Sequence, residues 1–250
     1  MSSATITTSA RLMNSTPQTE EQAMVRKVAV SSFLGNFIEW FDYASYSYFA
    51  TTIALVFFPT DNHTVAMLQT FGVFALSFIL RPIGALFWGS YGDKKGRKAA
   101  LAHSIMFMSG ASFLIGCLPS YSVIGVGAPI LLLLLRMVQG FSASGEYAGA
   151  ATFLGEYAPT SKRGIYCSLI PASTAIGLLA GSTLATLMTA NMNSSAMVGW
   201  GWRVPFLLAG PLGLIVLYIR AKLADSPVYQ SMNDALESKG AASADGQIAA

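Results

Sequence analysis

The chain contains 250 residues, of which 53% are hydrophobic and only 11% are charged, and its formal net charge is +3. A soluble domain carries about a quarter charged residues, so 15 basic and 12 acidic side chains cannot cover a water-exposed globule of this length. Disorder is excluded as well, because it requires low hydrophobicity and high charge. The composition therefore indicates a polytopic membrane protein, and so small a net charge gives no indication of a nucleic-acid partner.

The first 27 residues are rich in Ser, Thr and Ala and lack the apolar core of a signal peptide. We expect residues 1–27 to form a disordered cytoplasmic tail. Six apolar stretches follow, each near the length of about 20 residues that crosses a bilayer as a helix. These predicted spans cover residues 28–57, 67–88, 99–118, 124–148, 165–189 and 202–221. The sequence thus predicts an all-α, six-helix transmembrane domain over residues 28–223, followed by a polar cytoplasmic tail over 224–250.

The basic residues orient these spans in the membrane. Twelve of the 15 Lys and Arg residues, Arg220 among them, fall in segments on the same side as the N-terminus. The loops on the other side, at residues 59–66, 119–123 and 190–201, contain no Lys or Arg. Cytoplasmic loops carry the excess of basic residues, so both termini are predicted to be cytoplasmic.

Four charged residues lie well inside the predicted spans, away from the span ends, where charge is unfavourable. Glu39 and Asp42 lie in the first span, Arg81 in the second and Arg136 in the fourth. Burying them costs on the order of 10 kcal/mol in total unless they are paired or hydrated. Two acids and two bases in three helices therefore suggest that they compensate one another.

Helical spacing places Tyr43 on the same face of the first span as the two acids, and Gln139 beside Arg136 in the fourth. Two interpretations stay open at this point. The charges either form static buried pairs that specify helix packing, or they line a hydrated pathway in which a carboxylate exchanges a proton. Because a nearby arginine favours the ionised carboxylate and desolvation favours the neutral one, moving the arginine would couple a proton to a conformational change. We favour the second interpretation.

Several short motifs occur in order between about residues 28 and 232. They are Gly35-Asn-Phe-x-Glu39-Trp-Phe-Asp42-Tyr, Phe78-x-x-Arg81-Pro82, Gly89-x-x-x-Asp93-Lys-x-Gly96-Arg97-Lys98, Arg136-Met-Val-Gln139-Gly140, Gly145-Glu146-Tyr147, Glu156-Tyr-Ala-Pro159-x-x-x-Arg163-Gly164 and Asp225-Ser-Pro227-Val228-Tyr229. Together they resemble the major facilitator superfamily, and in detail its metabolite:proton symporter family. The resemblance implies a six-transmembrane-helix bundle equivalent to the N-terminal half of such a transporter.

The resemblance also implies roles for single residues. Asp42 and Arg136 match a first-helix acid and a fourth-helix arginine that are implicated in proton coupling in related sugar–proton porters. Glu39, Arg81 and Glu146 belong to the pattern of this family itself. The candidate residues for proton coupling and the transport pathway are therefore Glu39, Asp42, Tyr43, Arg81, Arg136, Gln139 and Glu146.

Four further residues match the cytoplasmic gate network, which latches the two halves of such transporters in the outward-facing state. They are Asp93, Arg97, Glu156 and Arg163.

The function that the resemblance implies is proton symport of a small organic acid or zwitterion across the plasma membrane, the inner membrane in bacteria. Expected partners are the lipid bilayer, a proton, the solute, and either a missing C-terminal half or a second copy of the chain. A truncated half without transport activity and a homodimeric six-helix carrier are the alternatives. An enzyme is not expected, because no nucleophile–base pair stands out. No cofactor and no metal are expected, because two His and two Cys in separate elements do not make a metal site.

Overall fold

The structure is a computed structural model that describes residues 16–223 and Ser231. Within that part of the chain every regular element is helical, which confirms the predicted all-α class. The helices are α1 Thr16–Tyr48, α2 Ala50–Phe57, α3 His63–Ile79, α4 Arg81–Lys95, α5 Arg97–Cys117, α6 Tyr121–Ile124, α7 Gly127–Ala143, α8 Glu146–Tyr157, α9 Arg163–Cys167, α10 Leu169–Asn191, α11 Ser194–Gly199 and α12 Val204–Ala221. Short 3-10 turns at Thr160–Lys162 and Gly201–Arg203 precede α9 and α12.

Five stretches among the described residues are long and apolar enough to cross a membrane. They are His63–Lys95, Arg97–Cys117, Gly127–Tyr157, Thr160–Asn191 and Gly201–Ala221. The predicted first span, residues 28–57, is not one of them. Its helices α1 and α2 carry buried polar groups, including Asn36, Glu39 and Asp42. A helix that is enclosed by other helices needs no continuous lipid-facing surface, so α1 occupies the interior of the bundle despite its lower hydropathy.

The first helix begins earlier than expected. We predicted a disordered tail up to residue 27, but α1 starts at Thr16. Residues 16–27 consist largely of strong helix formers, and Pro17 falls in the first turn, where its missing N–H breaks no helical bond. Residues 1–15, 224–230 and 232–250, on which the predicted tails otherwise fall, lie outside the described residues. The domain boundary at residue 223 stays a prediction.

Small residues allow α1 to approach its neighbours closely. In α10, a Cβ at Gly177 would lie 2.7 Å from the carbonyl oxygen of Phe37, and one at Gly181 would lie 2.6 Å from Ala44 Cβ. This Gly-x-x-x-Gly pattern is the arrangement that brings two membrane helices into close contact. On its other side α1 packs against α12 and α8. The face of α1 that carries the acids is therefore fixed among several helices.

The outside of the bundle is apolar. Leu86 is 78% exposed, Leu214 is 67% exposed, and many other large hydrophobic side chains on the same helices are uncovered. Monomeric soluble proteins rarely expose so many large hydrophobic side chains together. The chain is therefore an integral membrane protein, and Glu39, Asp42, Arg136, Glu146 and Arg220 are buried in its interior.

Candidate functional site

The first buried ion pair joins α7 to α1. Arg136 Nη1 donates a hydrogen bond of 2.7 Å to Asp42 Oδ2, and both side chains are almost completely buried. The guanidinium carbon of Arg136 lies 3.8 Å from the centre of the Tyr46 ring, one turn further along α1. The Tyr46 hydroxyl donates to the carbonyl oxygen of Thr70 in α3. Ring and carboxylate together stabilise the buried guanidinium, because each compensates part of its lost hydration.

A second ion pair joins α4 to α1. Arg81 Nη2 donates a hydrogen bond of 2.7 Å to Glu39 Oε1 and also donates to the Tyr43 hydroxyl, one turn along α1. Glu39 is buried, whereas the Arg81 side chain is 27% exposed. The side chain of Arg81 is therefore the more accessible member of this pair.

The local chain geometry presents Arg81 to α1. Leu80 separates α3 from α4, and Arg81 is the first residue of α4. Pro82 follows within the first turn of α4, where its missing N–H and fixed φ suit the start of a helix. The predicted second span, residues 67–88, is thus interrupted at Leu80, directly before the residue that carries the charge.

A third ion pair joins Glu146 of α8 to Arg220 of α12, a pairing that was not predicted from the sequence. The distribution of charge along the sequence places Arg220 among the basic residues on the cytoplasmic side, and it indicates no partner for Arg220 or for Glu146. Arg220 Nη1 donates to Glu146 Oε2 at 2.9 Å and Nη2 donates to Oε1, so the pair is two-pronged, and each side chain is 1% exposed. Such fork geometry is the strong form of a charge-assisted hydrogen bond.

A signal for this burial exists in the sequence. Ala209, Gly213 and Val216 precede Arg220 at helical spacing and lie on the same buried face of α12. Helical periodicity thus places the arginine inward, although its position at the end of an apolar stretch is typical of a loop cation.

Gln139 lies one turn from Arg136 on α7, as the spacing predicted, but it contacts α5 rather than α1. Its Nε2 donates to Ser112 Oγ, and the side chain is buried. Gly140, next to it, brings α7 so close to the Ser77 carbonyl of α3 that a Cβ would not fit between them. Gln139 therefore links α7 to the neighbouring helix instead of binding either carboxylate.

Several buried polar atoms along these helices have no hydrogen-bond partner in the protein. They include Glu39 Oε2, Asp42 Oδ1, Arg81 Nε, Arg136 Nε and Nη2, and Gln139 Oε1. Such atoms are rare in protein interiors, and water, an ion or a ligand usually accounts for them. Because these atoms cluster around two ion pairs, this part of the bundle is suited to bind water or a polar ligand.

The predicted gate residues are only partly brought together. Arg97 donates to Asp93 at 3.0 Å across Gly96, whose φ of 96° is a conformation that favours glycine. Arg163 is exposed, and Glu156 Oε2 has no hydrogen-bond partner. Among the described residues no ion pair joins Glu156 or Arg163 to the other two.

The described part of the chain holds no group of three or more His, Cys, Asp or Glu that could bind a metal ion. Cys117 and Cys167 are free thiols, and His103 Nδ1 lies 2.7 Å from the carbonyl oxygen of Ala99 within its own helix.

Comparison of the sequence with known proteins gives consistent matches. The profile of the family described as "Sugar (and other) transporter" matches residues 27–247. The proline/betaine transporters of Salmonella typhimurium and of Escherichia coli K12 are each 42% identical to this chain over 217 residues. The glycine betaine/proline/ectoine/pipecolic acid transporter OusA of Dickeya dadantii has the same identity. In each case the match covers 87% of this chain but 43% of the relative, so the chain spans less than half the length of these relatives.

The fold matches solved structures of the same kind. The proton:xylose symporter XylE of the major facilitator superfamily, bound to 6-bromo-6-deoxy-D-glucose, aligns with a TM-score of 0.74 at 16% identity, over 84% of this chain and 46% of XylE. The inward-open XylE from E. coli aligns with a TM-score of 0.73 at 17% identity, over 84% of this chain and 51% of that one. At this identity the likeness concerns the fold, and it extends over about half of each solved chain.

Proposed function

The chain belongs to the sugar (and other) transporter family, and from this membership we propose that it acts as the N-terminal half of a proton symporter for a small organic acid or zwitterion. The membership and the XylE fold confirm the resemblance to the major facilitator superfamily that the motifs predicted. Family and relatives are transporters, in agreement with the expectation that the chain is not an enzyme.

The observation that carries the proposal is the arrangement of two carboxylates on one face of α1, each paired with an arginine from a different helix. Glu39 binds Arg81 of α4, and Asp42 binds Arg136 of α7, both at 2.7 Å. A carboxylate that loses its arginine inside the membrane is an unpaired buried charge, and protonation removes that charge. Movement of α4 or α7 relative to α1 would thereby be linked to proton uptake.

The other interpretation, in which the ion pairs are static and only fix helix packing, accounts less well for the free-energy cost of burying these charges. Pairs that only fix helix packing are stabilising when their remaining polar atoms are satisfied. Here Glu39 Oε2 and Asp42 Oδ1 are both buried without a partner. These free oxygens favour sites that accept a proton or a ligand.

The driving force suffices for this activity. One proton that moves down a potential of 100 mV supplies about 2.3 kcal/mol. That free energy corresponds to roughly fifty-fold accumulation of a neutral solute.

Among the candidate solutes we propose a zwitterion, in line with the names of the relatives, which are proline/betaine transporters. We also propose that both termini face the cytoplasm of a bacterial cell. In transporters built from repeats the substrate site lies between the repeats near the bilayer midplane. A second six-helix unit, whether a C-terminal half or a second copy of this chain, would complete that site.

Uptake into proteoliposomes tests this function. The chain is reconstituted alone and together with the C-terminal half of the E. coli proline/betaine transporter, and uptake of radiolabelled glycine betaine and proline is measured with an inward proton gradient. We expect gradient-dependent accumulation in at least the two-part preparation. Accumulation by the chain alone, with a crosslinked dimer, would favour the homodimeric carrier. Lack of gradient-dependent uptake in both preparations would contradict the proposal.

A further inference from the structure

The surroundings of Arg81 contain a second set of contacts that the ion pair does not explain. Its guanidinium carbon lies 4.9 Å from the centre of the Tyr43 ring and 4.5 Å from the centre of the Phe78 ring. These two rings are 5.6 Å apart, and Phe74 packs against both. Aromatic faces at such distances bind cations, above all quaternary ammonium groups. Arg81 thus occupies an aromatic cation site with its own side chain.

One acceptor and one donor at this position have no hydrogen-bond partner in the protein. Glu39 Oε2 is buried and accepts no hydrogen bond, although Oε1 of the same carboxylate binds Arg81. Arg81 Nε is likewise without a partner. A free carboxylate oxygen beside aromatic rings complements a ligand cation, and a free guanidinium donor complements a ligand carboxylate. The carboxylate oxygen and the guanidinium donor together complement the two charged groups of a zwitterion.

The Asp42–Arg136 pair provides an internal comparison. Arg136 also stacks on aromatic rings, those of Tyr46 and Phe206, but its side chain is only 1% exposed. Arg81 has 27% of its side chain exposed and follows directly after the break between α3 and α4. The side chain of Arg81 is therefore accessible from outside the bundle, whereas that of Arg136 is sealed.

We propose that Glu39, Tyr43, Phe78 and Arg81 form the subsite for a zwitterionic substrate, and that the guanidinium of Arg81 holds the place of the substrate's cationic group until the substrate arrives. The substrate carboxylate binds the guanidinium and draws it away from the rings. The substrate's ammonium group then takes its place on Tyr43 and Phe78, beside Glu39. This exchange keeps a positive charge next to the Glu39 carboxylate while the substrate is bound. The inference rests on the proposed transport function and specifies which residues recognise the solute.

Equilibrium binding to the purified full chain tests the subsite, with radiolabelled glycine betaine as the probe. We expect saturable binding of betaine. Two analogues should compete with it at least tenfold more weakly than betaine itself: 3,3-dimethylbutyrate, the isostere without the positive charge, and choline, which lacks the carboxylate. Phe78→Leu is expected to weaken betaine binding about tenfold, and Phe78→Tyr, which keeps the ring, to restore most of it. Phe71→Leu is the matched control, because Phe71 is 43% exposed on the same helix and takes part in none of the ring contacts described above; its affinity should not change.

Removal of the internal cation gives the most specific result. In Arg81→Ala the rings and Glu39 are free, so we expect choline to bind several-fold more tightly than to the unaltered chain, while betaine binds more weakly because its carboxylate has lost its partner. Equal weakening of both ligands would contradict the exchange of cations. Absence of saturable betaine binding, or equal effects of Phe78→Leu and Phe71→Leu, would overturn the subsite.

Uptake by proteoliposomes that contain the same variants and the C-terminal half of the E. coli relative separates this inference from the proposed function. Proton-driven betaine uptake with an unchanged KM in Phe78→Leu would overturn the subsite and leave the transport function intact. Betaine binding that follows the expected pattern, without any proton-driven uptake, would overturn the transport function and support the subsite.

Discussion

Arg220 and Glu146 are joined by both prongs of the guanidinium, between α12 and α8, in a region where each side chain is 1% exposed. The same guanidinium donates to the carbonyl oxygens of Leu101 in α5 and Ser31 in α1. Ser104 in α5 donates to the carboxylate at 3.3 Å. One ion pair therefore connects four helices, and it fixes the helix that carries Glu39 and Asp42 relative to the rest of the bundle.

Breaking this pair should destabilise the protein strongly. Arg220→Leu leaves Glu146 as an uncompensated buried charge, with an expected loss of about 3–5 kcal/mol. The double variant Arg220→Leu/Glu146→Gln removes that charge as well and should recover a large part of the loss. Thermal unfolding in detergent, followed by circular dichroism, measures both. Lys222→Ala, at an exposed position two residues further on, serves as the control and should unfold like the unaltered chain. A double variant no more stable than Arg220→Leu would contradict a true ion pair.

Gly35 should tolerate no side chain. A Cβ at this position would lie 3.0 Å from Glu146 Cδ, and still closer to a carboxylate oxygen and a guanidinium nitrogen of the pair. We expect Gly35→Ala to lower the unfolding temperature, because it forces the ion pair apart. Gly72→Ala is the matched control: Gly72 is also helical, but no neighbouring helix or side chain comes within 4 Å of the place that its Cβ would take, so alanine should leave stability unchanged or raise it slightly. Equal unfolding temperatures for the two variants would refute the close approach of α1 to the pair.

The two native cysteines allow a test of the proposed orientation. Cys117 ends α5 and is exposed, and Cys167 ends α9 and is half-buried. With both termini in the cytoplasm, Cys117 lies at the outer face and Cys167 at the inner one. A membrane-impermeant maleimide added to intact cells should therefore label Cys167→Ser, which keeps Cys117, and spare Cys117→Ser. Both variants should react after the membrane is permeabilised. The reverse labelling pattern in intact cells would contradict the proposed orientation of the chain.

The extent to which the sequence predicts this structure differs among its charged residues. The charges of Glu39, Asp42, Arg81 and Arg136 stand out because they interrupt apolar stretches, and the structure pairs them as acids with bases. Spacing along one helix cannot say which acid meets which arginine, because that depends on how the helices pack. The pairing of Arg220 with Glu146 was missed for a related reason: the inward direction of Arg220 follows from periodicity, but the end of a span is also the usual place for a cytoplasmic cation.

The breaks within the predicted spans are likewise only partly predictable from the sequence. Pro82 is a visible signal for the break at Leu80, even though hydropathy alone predicts one continuous span over residues 67–88. The boundary between α1 and α2 at Phe49 has no Pro or Gly to mark it. Such a boundary results from tertiary packing, which local sequence does not specify.

The central claim, that α1 couples a proton to solute movement, is tested most directly by solute-induced alkalinisation. Glycine betaine is added without a pH gradient to proteoliposomes that contain the chain and the C-terminal half of the E. coli relative, and the external pH is recorded. We expect the medium to become alkaline as protons enter with the solute. Asp42→Asn should still take up betaine down its gradient but leave the pH constant, because the amide next to Arg136 cannot accept a proton. Alkalinisation by Asp42→Asn equal to that of the unaltered chain would remove Asp42 from the coupling, and betaine uptake by the unaltered chain without any pH change would contradict proton symport.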